Sequence, residues 1–220
     1  MGNVDDLVVE KLPCHSRVGG NPFIFIQNMQ KLLSEIRACE VCKTHLPLGP
    51  RPIVAAHKDA KIIIIGQAPG TKVHETGVPW DDPSGRQLRK WLGVSDEVFY
   101  DETKIALVPM GFCYPGKGKG GDLPPRTECA PLWHQQLWDS MPNLELIILI
   151  GTYAQKYYLK NEMEKNLTET VKAYQKYLPR YFPLPHPSPR NRFWLTKNPW
   201  FEVKVIPTLK KKISLAINRS

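Results

Sequence analysis

Four short apolar runs, separated by stretches of helical period, constrain what this chain can fold into more than any other feature. Lys61–Ile65 carries four consecutive isoleucines and stops at the turn Gly66-Gln67-Ala68-Pro69-Gly70. Ile105–Val108 and Leu144–Ile150 repeat the pattern, and Arg180–Leu184, with Tyr181 and Phe182 in place of aliphatic residues, reads as a short fourth strand. Apolar runs of this length without polar alternation fit strands buried on both faces. Between them lie helical patterns. Gln27–Ala38 turns Met29, Leu32, Leu33 and Ile36 to one side, and Ser84–Leu92 does the same with Leu88, Trp91 and Leu92. Pro131–Ser140, Thr152–Leu159, Leu167–Tyr177 and an amphipathic helix within Pro199–Asn218 follow. This alternation predicts an α/β fold with a parallel sheet covered on both faces by helices.

Ligands of such sheets bind beyond the carboxyl ends of the strands. Chemistry is therefore expected in segments 66–85, 109–129 and 185–194, with 114–125 a loop inside the domain. Residues 1–26 lack periodicity and read as a poorly ordered leader. Residues 27–220 read as a single domain, a size that suits one core.

Composition removes several classes. The aliphatic runs are far below the ~20 apolar residues of a membrane helix. Phe23–Ile26 is too short for the apolar core of a signal peptide, so a cytoplasmic, monomeric protein is expected. The net charge is +9, and it is unevenly spread. Residues 1–159 hold 17 basic and 17 acidic side chains, whereas residues 160–220 hold 13 and 4. A basic final quarter points to a polyanion, nucleic acid before membrane; a solvated basic helix is the plain alternative.

Three constellations carry chemistry. Cys39-Glu40-Val41-Cys42, with Cys113 and Cys129, gives four thiols that satisfy either Zn²⁺ or a [4Fe–4S] cluster, and spacing alone does not choose. Four unrelated buried cysteines are the alternative, and Cys14 stands apart as a free thiol. Next, the turn Gly66–Gly70 and the run Thr76-Gly77-Val78-Pro79-Trp80-Asp81-Asp82-Pro83-Ser84-Gly85 bring together backbone N–H groups, a flat aromatic face and two carboxylates. Paired carboxylates position water or stabilise a developing cation. Asp82-Pro83 also reads as a helix start, which accounts for one of the two acids. Last, Pro183-Leu184-Pro185-His186-Pro187-Ser188-Pro189-Arg190-Asn191-Arg192 reads as a rigid extended loop that fixes where His186 points, beside two arginines, Phe193 and Trp194.

From about Gln27 to Pro199 these segments resemble, in this order, the uracil-DNA glycosylase superfamily. Within it they are most similar to the iron–sulfur branch of bacterial and archaeal enzymes. The resemblance rests on G-Q-A-P-G, T-G-V-P-W, the H-P-S of His186–Ser188 and the four cysteines. It implies an α/β fold, a three-layer α/β/α sandwich with a central four-stranded, mostly parallel sheet. It implies too a DNA glycosylase of base-excision repair, a hydrolase that flips a deaminated base out of duplex DNA and cleaves its N-glycosidic bond. Gly66, Gln67, Ala68, Pro69, Gly70 and Trp80 would hold the flipped base, with Trp80 stacking on it. His186 would hydrogen-bond the departing base's carbonyl oxygen. Ser188, Arg190, Asn191 and Arg192 match the loop that enters the minor groove. Cys39, Cys42, Cys113 and Cys129 would hold a structural [4Fe–4S] cluster, with Zn²⁺ or no metal as alternatives.

The chain departs from that pattern in two places. Gln67 and Ala68 stand where the superfamily carries an acid or an asparagine. The role passes to Asp81 or Asp82, with Glu75 or His74 as substitutes. No asparagine follows the second strand in Val108–Cys113, which opens the target base to hypoxanthine and other deaminated bases. A catalytically silent DNA-binding module on the same fold is the second reading. A zinc-stabilised protein with a nucleotide or small-molecule ligand is the third.

Overall fold

The computed structural model of the chain describes residues 22–219; Cys14 and the remainder of 1–21 lie outside the described residues. Six strands occur among them: β1 (Ile62–Ile65), β2 (Ile105–Leu107), β3 (Lys117–Gly118), β4 (Gly121–Asp122), β5 (Leu146–Ile150) and β6 (Tyr181–Leu184). Four form a wholly parallel sheet in the order β2-β1-β5-β6, pairing Ile63 with Ala106 and Ile147, and Ile148 with Phe182. The direction of strand succession reverses between β1 and β5, the kind of point where open α/β sheets take ligands.

The sheet separates two apolar layers, as the period of two requires. On one face Ile63, Ile65, Ala106, Ile147 and Leu149 pack with Met29, Leu32, Leu33 and Ile36 of α1 (Pro22–Arg37). On the other, Ile62, Ile64, Leu107, Ile148 and Phe182 pack with Leu88, Trp91 and Leu92, and with Leu209 and Ile213. Those partners belong to α3 (Pro83–Leu92) and α9 (Ile206–Asn218). The remaining helices are α2 (Thr71–Thr76), α4 (Asp96–Phe99), α5 (Gln135–Asp139), α6 (Gly151–Leu159), α7 (Leu167–Lys172) and α8 (Arg192–Lys197). No helix among the described residues is long and apolar enough to cross a membrane.

Three segments differ from expectation. Helix α1 starts at Pro22, ahead of the residue 26 boundary, because proline is tolerated in a first helical turn. The loop 114–125 contains a two-stranded antiparallel hairpin, β3–β4, closed at Lys119-Gly120. The stretch after His186 is not an extended rod. The Ser188 hydroxyl accepts from the Arg190 N–H and Pro189 starts a 3₁₀ turn, Pro189–Asn191, that runs into α8. A serine followed by proline is a helix start, so Arg190, Asn191 and Arg192 sit on helical turns.

Candidate active site

A pocket opens at the carboxyl ends of β1, β2 and β6. Gly66–Gly70, Trp80, Asp82, Pro109 and His186 line it, around about 480 Å³ of space that includes the open mouth. The floor is fixed by backbone pairing carried past the end of the sheet: the Met110 and Gly111 N–H groups donate to the Gly66 and Gln67 carbonyls at 2.9 and 3.0 Å.

His186 stands on one wall. The Ser188 N–H donates to its Nδ1 at 3.2 Å, so a neutral ring carries its proton on Nε2. Desolvation pushes its pKa below the ordinary value, opposed by the negative charges of Asp82 and Asp122. The ring is therefore a neutral N–H donor at pH 7. The Asn191 amide donates to the His186 carbonyl at 2.8 Å, pinning the loop. Gln155, fully buried on α6, donates to the carbonyls of Leu184 at 2.9 Å and Leu149 at 3.3 Å. It thus bolts together the ends of β5 and β6, two residues before the histidine. Nothing in the sequence around Gln155 announces this.

Trp80 makes the facing wall, its ring centroid 5.9 Å from that of His186 at an interplanar angle of 32°. Its φ of 58° lies in the left-handed region that an aromatic residue rarely adopts. Two glycines allow that conformation. A methyl at Gly85 would fall 1.7 Å from the Trp80 carbonyl oxygen, and one at Gly66 would fall 2.7 Å from the indole ring. The buried Arg89 adds a 3.4 Å hydrogen bond to the same carbonyl, while its Nε pairs with Asp96 at 2.7 Å. Strain of this kind, held by surrounding packing, concentrates at functional sites.

The candidate acids separate. Asp82 lines the pocket and caps α3, its Oδ1 accepting the Gly85 N–H at 2.7 Å. Asp81 pairs with Lys72 at 3.5 Å and is absent from the lining. His74 and Glu75 are absent from it too, both carbonyls being bonded to Arg51. Pro109 is steadied from behind. Buried His134 bonds the Pro109 carbonyl through Nε2 at 3.1 Å and the Tyr158 hydroxyl through Nδ1. Burial pushes the His134 pKa down to about 4, so it too is neutral.

The four cysteines are unpaired; Cys42, Cys113 and Cys129 are buried and Cys39 is partly so. Burial pushes the thiol of Cys113 up to about 12, that of Cys129 to about 11, and that of Cys42 upward. Each of these three also feels Cys39 or its fellows as like charges, which places the set in one neighbourhood. Among the described residues, no group of three or more His, Cys, Asp or Glu side chains is close enough, as they stand, to hold a metal ion. An all-thiol set in an apolar corner is the donor chemistry that suits an iron–sulfur cluster or zinc.

Residues 54–210 match the family model described as the uracil DNA glycosylase superfamily. The chain belongs to that superfamily. It is also similar to a curated protein of Sulfurisphaera tokodaii named Type-4 uracil-DNA glycosylase. The two are 22% identical over 171 residues, which cover 74% of this chain and 76% of that protein. The pocket described above lies at the carboxyl edge of the central parallel sheet.

The basic residues divide between two ends of this superfamily fold. Arg192 and the 77% exposed Phe193 follow the His186 loop on α8. Arg190 reaches the β3–β4 hairpin, its Nη1 donating to the Gly120 carbonyl at 3.2 Å. Lys212, by contrast, lies beside Glu145, Leu146 and Pro179, at the amino ends of the strands. The lysine run of α9 therefore does not flank His186, contrary to what its place in the charged quarter suggests.

Proposed function

We propose that this protein is a DNA glycosylase that flips a deaminated base from duplex DNA and hydrolyses its N-glycosidic bond. The observation that carries the reading is the pairing of a neutral Nε2–H donor, His186, with the face of Trp80 across one pocket. A flipped base needs both: an aromatic surface that replaces the lost stack, and a donor for the carbonyl oxygen that becomes negative as the bond breaks.

The chemistry follows from those positions. As the C1′–N bond lengthens, its electron pair passes to the base and the sugar becomes cation-like. His186 Nε2–H stabilises the anion without first surrendering a proton. The Asp82 carboxylate, at the same pocket, favours the cationic sugar. Water then adds to C1′. The exposed Arg192 and Phe193 suit minor-groove contact.

We assign Cys39, Cys42, Cys113 and Cys129 to a [4Fe–4S] cluster. It would supply no step of hydrolysis and would tie the end of α1 to the segment after β2. Zinc is the other occupant that this donor set accepts, and iron and sulfide analysis of anaerobically purified protein separates the two.

The test uses duplexes with a single uracil, hypoxanthine or xanthine, incubated with the protein and then cleaved by alkali at any abasic site. Excision of at least one base is expected, with His186→Ala losing it. A catalytically silent DNA-binding module is favoured by Gln67 and Ala68, neither of which can take a proton from water. That reading prevails if no duplex is cut while DNA is still bound.

A further inference from the structure

The β3–β4 hairpin, read from the sequence as a plain loop, lies beside the first turn and the histidine loop. The hairpin is fastened on both sides. Gln67 of the first turn reaches the Leu123 carbonyl at 3.5 Å, and Arg190 of the histidine loop donates to the Gly120 carbonyl at 3.2 Å. The Leu123 N–H closes its base on the Gly116 carbonyl at 2.8 Å. An exposed residue on this hairpin is therefore held in place beside the pocket's first turn.

That residue is Asp122. A methyl on Gly70 would stand 3.5 Å from its Oδ2, so the carboxylate, itself outside the pocket lining as Asp81 is, rests against Gly70 at the end of the turn that lines the pocket. Its charge reaches His186, opposing the desolvation of that ring alongside Asp82. It is also uncommitted. Among the described residues, no hydrogen bond or ion pair engages the Asp122 carboxylate, whereas Asp82 holds the Gly85 N–H and Asp81 holds Lys72.

We propose that Asp122 is the catalytic base of this site, the carboxylate that accepts the proton of the attacking water. The inference rests on the glycosylase reading and deepens it. The first turn, where Gln67 and Ala68 stand, has no group for this task, and the hairpin brings one to the same place from about fifty residues further along the chain. The atoms balance simply. The C1′–N bond breaks and its electron pair leaves with the base, whose oxygen takes the His186 hydrogen bond. The water oxygen forms the new C1′–O bond, and the water proton passes to Asp122. Being exposed, Asp122 then releases it to solvent. Asp82, with one oxygen occupied, stays an electrostatic neighbour of the sugar. Arg190 is a positioning residue that acts by latching the hairpin.

Single-turnover excision, on whichever duplex the wild-type protein cuts, tests this with Asp122→Asn, Asp122→Glu, Asp82→Asn and Arg190→Ala. Duplex affinity is measured by anisotropy, and the His186 titration by imidazole NMR. Asp122→Asn is expected to slow excision about a hundredfold or more, the range for a lost general base, with duplex affinity retained or raised. Asp122→Glu should recover part of the rate. The His186 midpoint should fall in Asp122→Asn whether or not DNA is present. Arg190→Ala should slow excision about tenfold through misplacement of the carboxylate.

An Asp122→Asn rate within about threefold of wild type overturns the proposal, as does a rate loss matched by lost affinity or an unmoved His186 midpoint. Asp82 is then the base if its variant alone is slow. A wild-type protein that cuts none of the duplexes sinks the glycosylase reading and this inference together. An active wild type with an unaffected Asp122→Asn sinks the inference alone.

Discussion

At the pocket the chain itself supplies the contacts that hold the facing side chains. Ser188 sets the tautomer of His186, Gln155 bolts the strand before it, and two glycines admit the strained backbone of Trp80. At the cysteine corner the chain supplies burial and little else. Three thiols are desolvated, their pKa values rise, and each resists ionising because the others are near. The pocket is organised without a ligand, whereas the corner has thiols that a metal centre must deprotonate to bind. Substitutions should therefore separate rate from stability in opposite directions at the two places.

The largest effect is expected at the donor. His186→Ala should lower the excision rate by about 10²–10³, the usual loss for a charge-stabilising hydrogen bond, with the unfolding midpoint little changed. Cys113→Ser should do the reverse. Under the cluster assignment proposed above, it should abolish visible absorbance and iron binding and lower the midpoint by more than about 5 °C, beyond the effect of a single 1 kcal/mol contact in a domain this size. Equal loss of midpoint in the two variants would break the contrast.

A pH effect comes next. His134 has a folded pKa of about 4 against an ordinary value near 6.5, so folding favours its neutral form. Above pH 7 both states are neutral and nothing is lost. As pH falls from about 6.5 toward 4 the unfolded chain takes up a proton that the native one refuses, costing up to roughly 3 kcal/mol. Denaturant unfolding at pH 7.5 and pH 5 should show this decline, and His134→Phe should flatten it. His186 acts in the same direction, so His186→Ala is the necessary companion.

Gly66→Ala probes the packing under Trp80. The added methyl overlaps the ring, so about 1–3 kcal/mol of stability should be lost, together with roughly tenfold in excision. The smallest change is expected from neutralising Lys210, Lys211 and Lys212 as glutamines. Filter binding across a salt series should show a slope close to wild type, while Arg192→Gln should reduce it by about one counterion. The opposite ranking would put DNA on the α9 end of the fold.

Much of this was legible without coordinates. The four apolar runs became the four parallel strands, trimmed by a residue or two, because burial on both faces leaves a local mark on each strand. Trp80, Asp82 and His186 were legible as candidates, and the fold gathers them around one pocket, because Gly/Pro turns at strand ends are themselves local signals. Asp81 drew the same attention and turned out to face Lys72, since adjacent side chains leave a helix start in different directions. The extended reading of 185–194 failed because alternate prolines stiffen a chain without specifying that it stays straight. Ser188 and Pro189 start a turn there instead.

By itself, then, the sequence determined the strands, the two-faced core, the superfamily and the short list of groups around the pocket, all properties written within a few residues of one another. The tertiary structure alone decided which carboxylates look into the pocket, which arginine latches the hairpin, and that the lysines of α9 lie at the far end of the sheet from His186. Those outcomes depend on where distant segments come to rest. A charge carries no local mark of the face it will occupy, whereas a buried strand is marked by its own apolar residues.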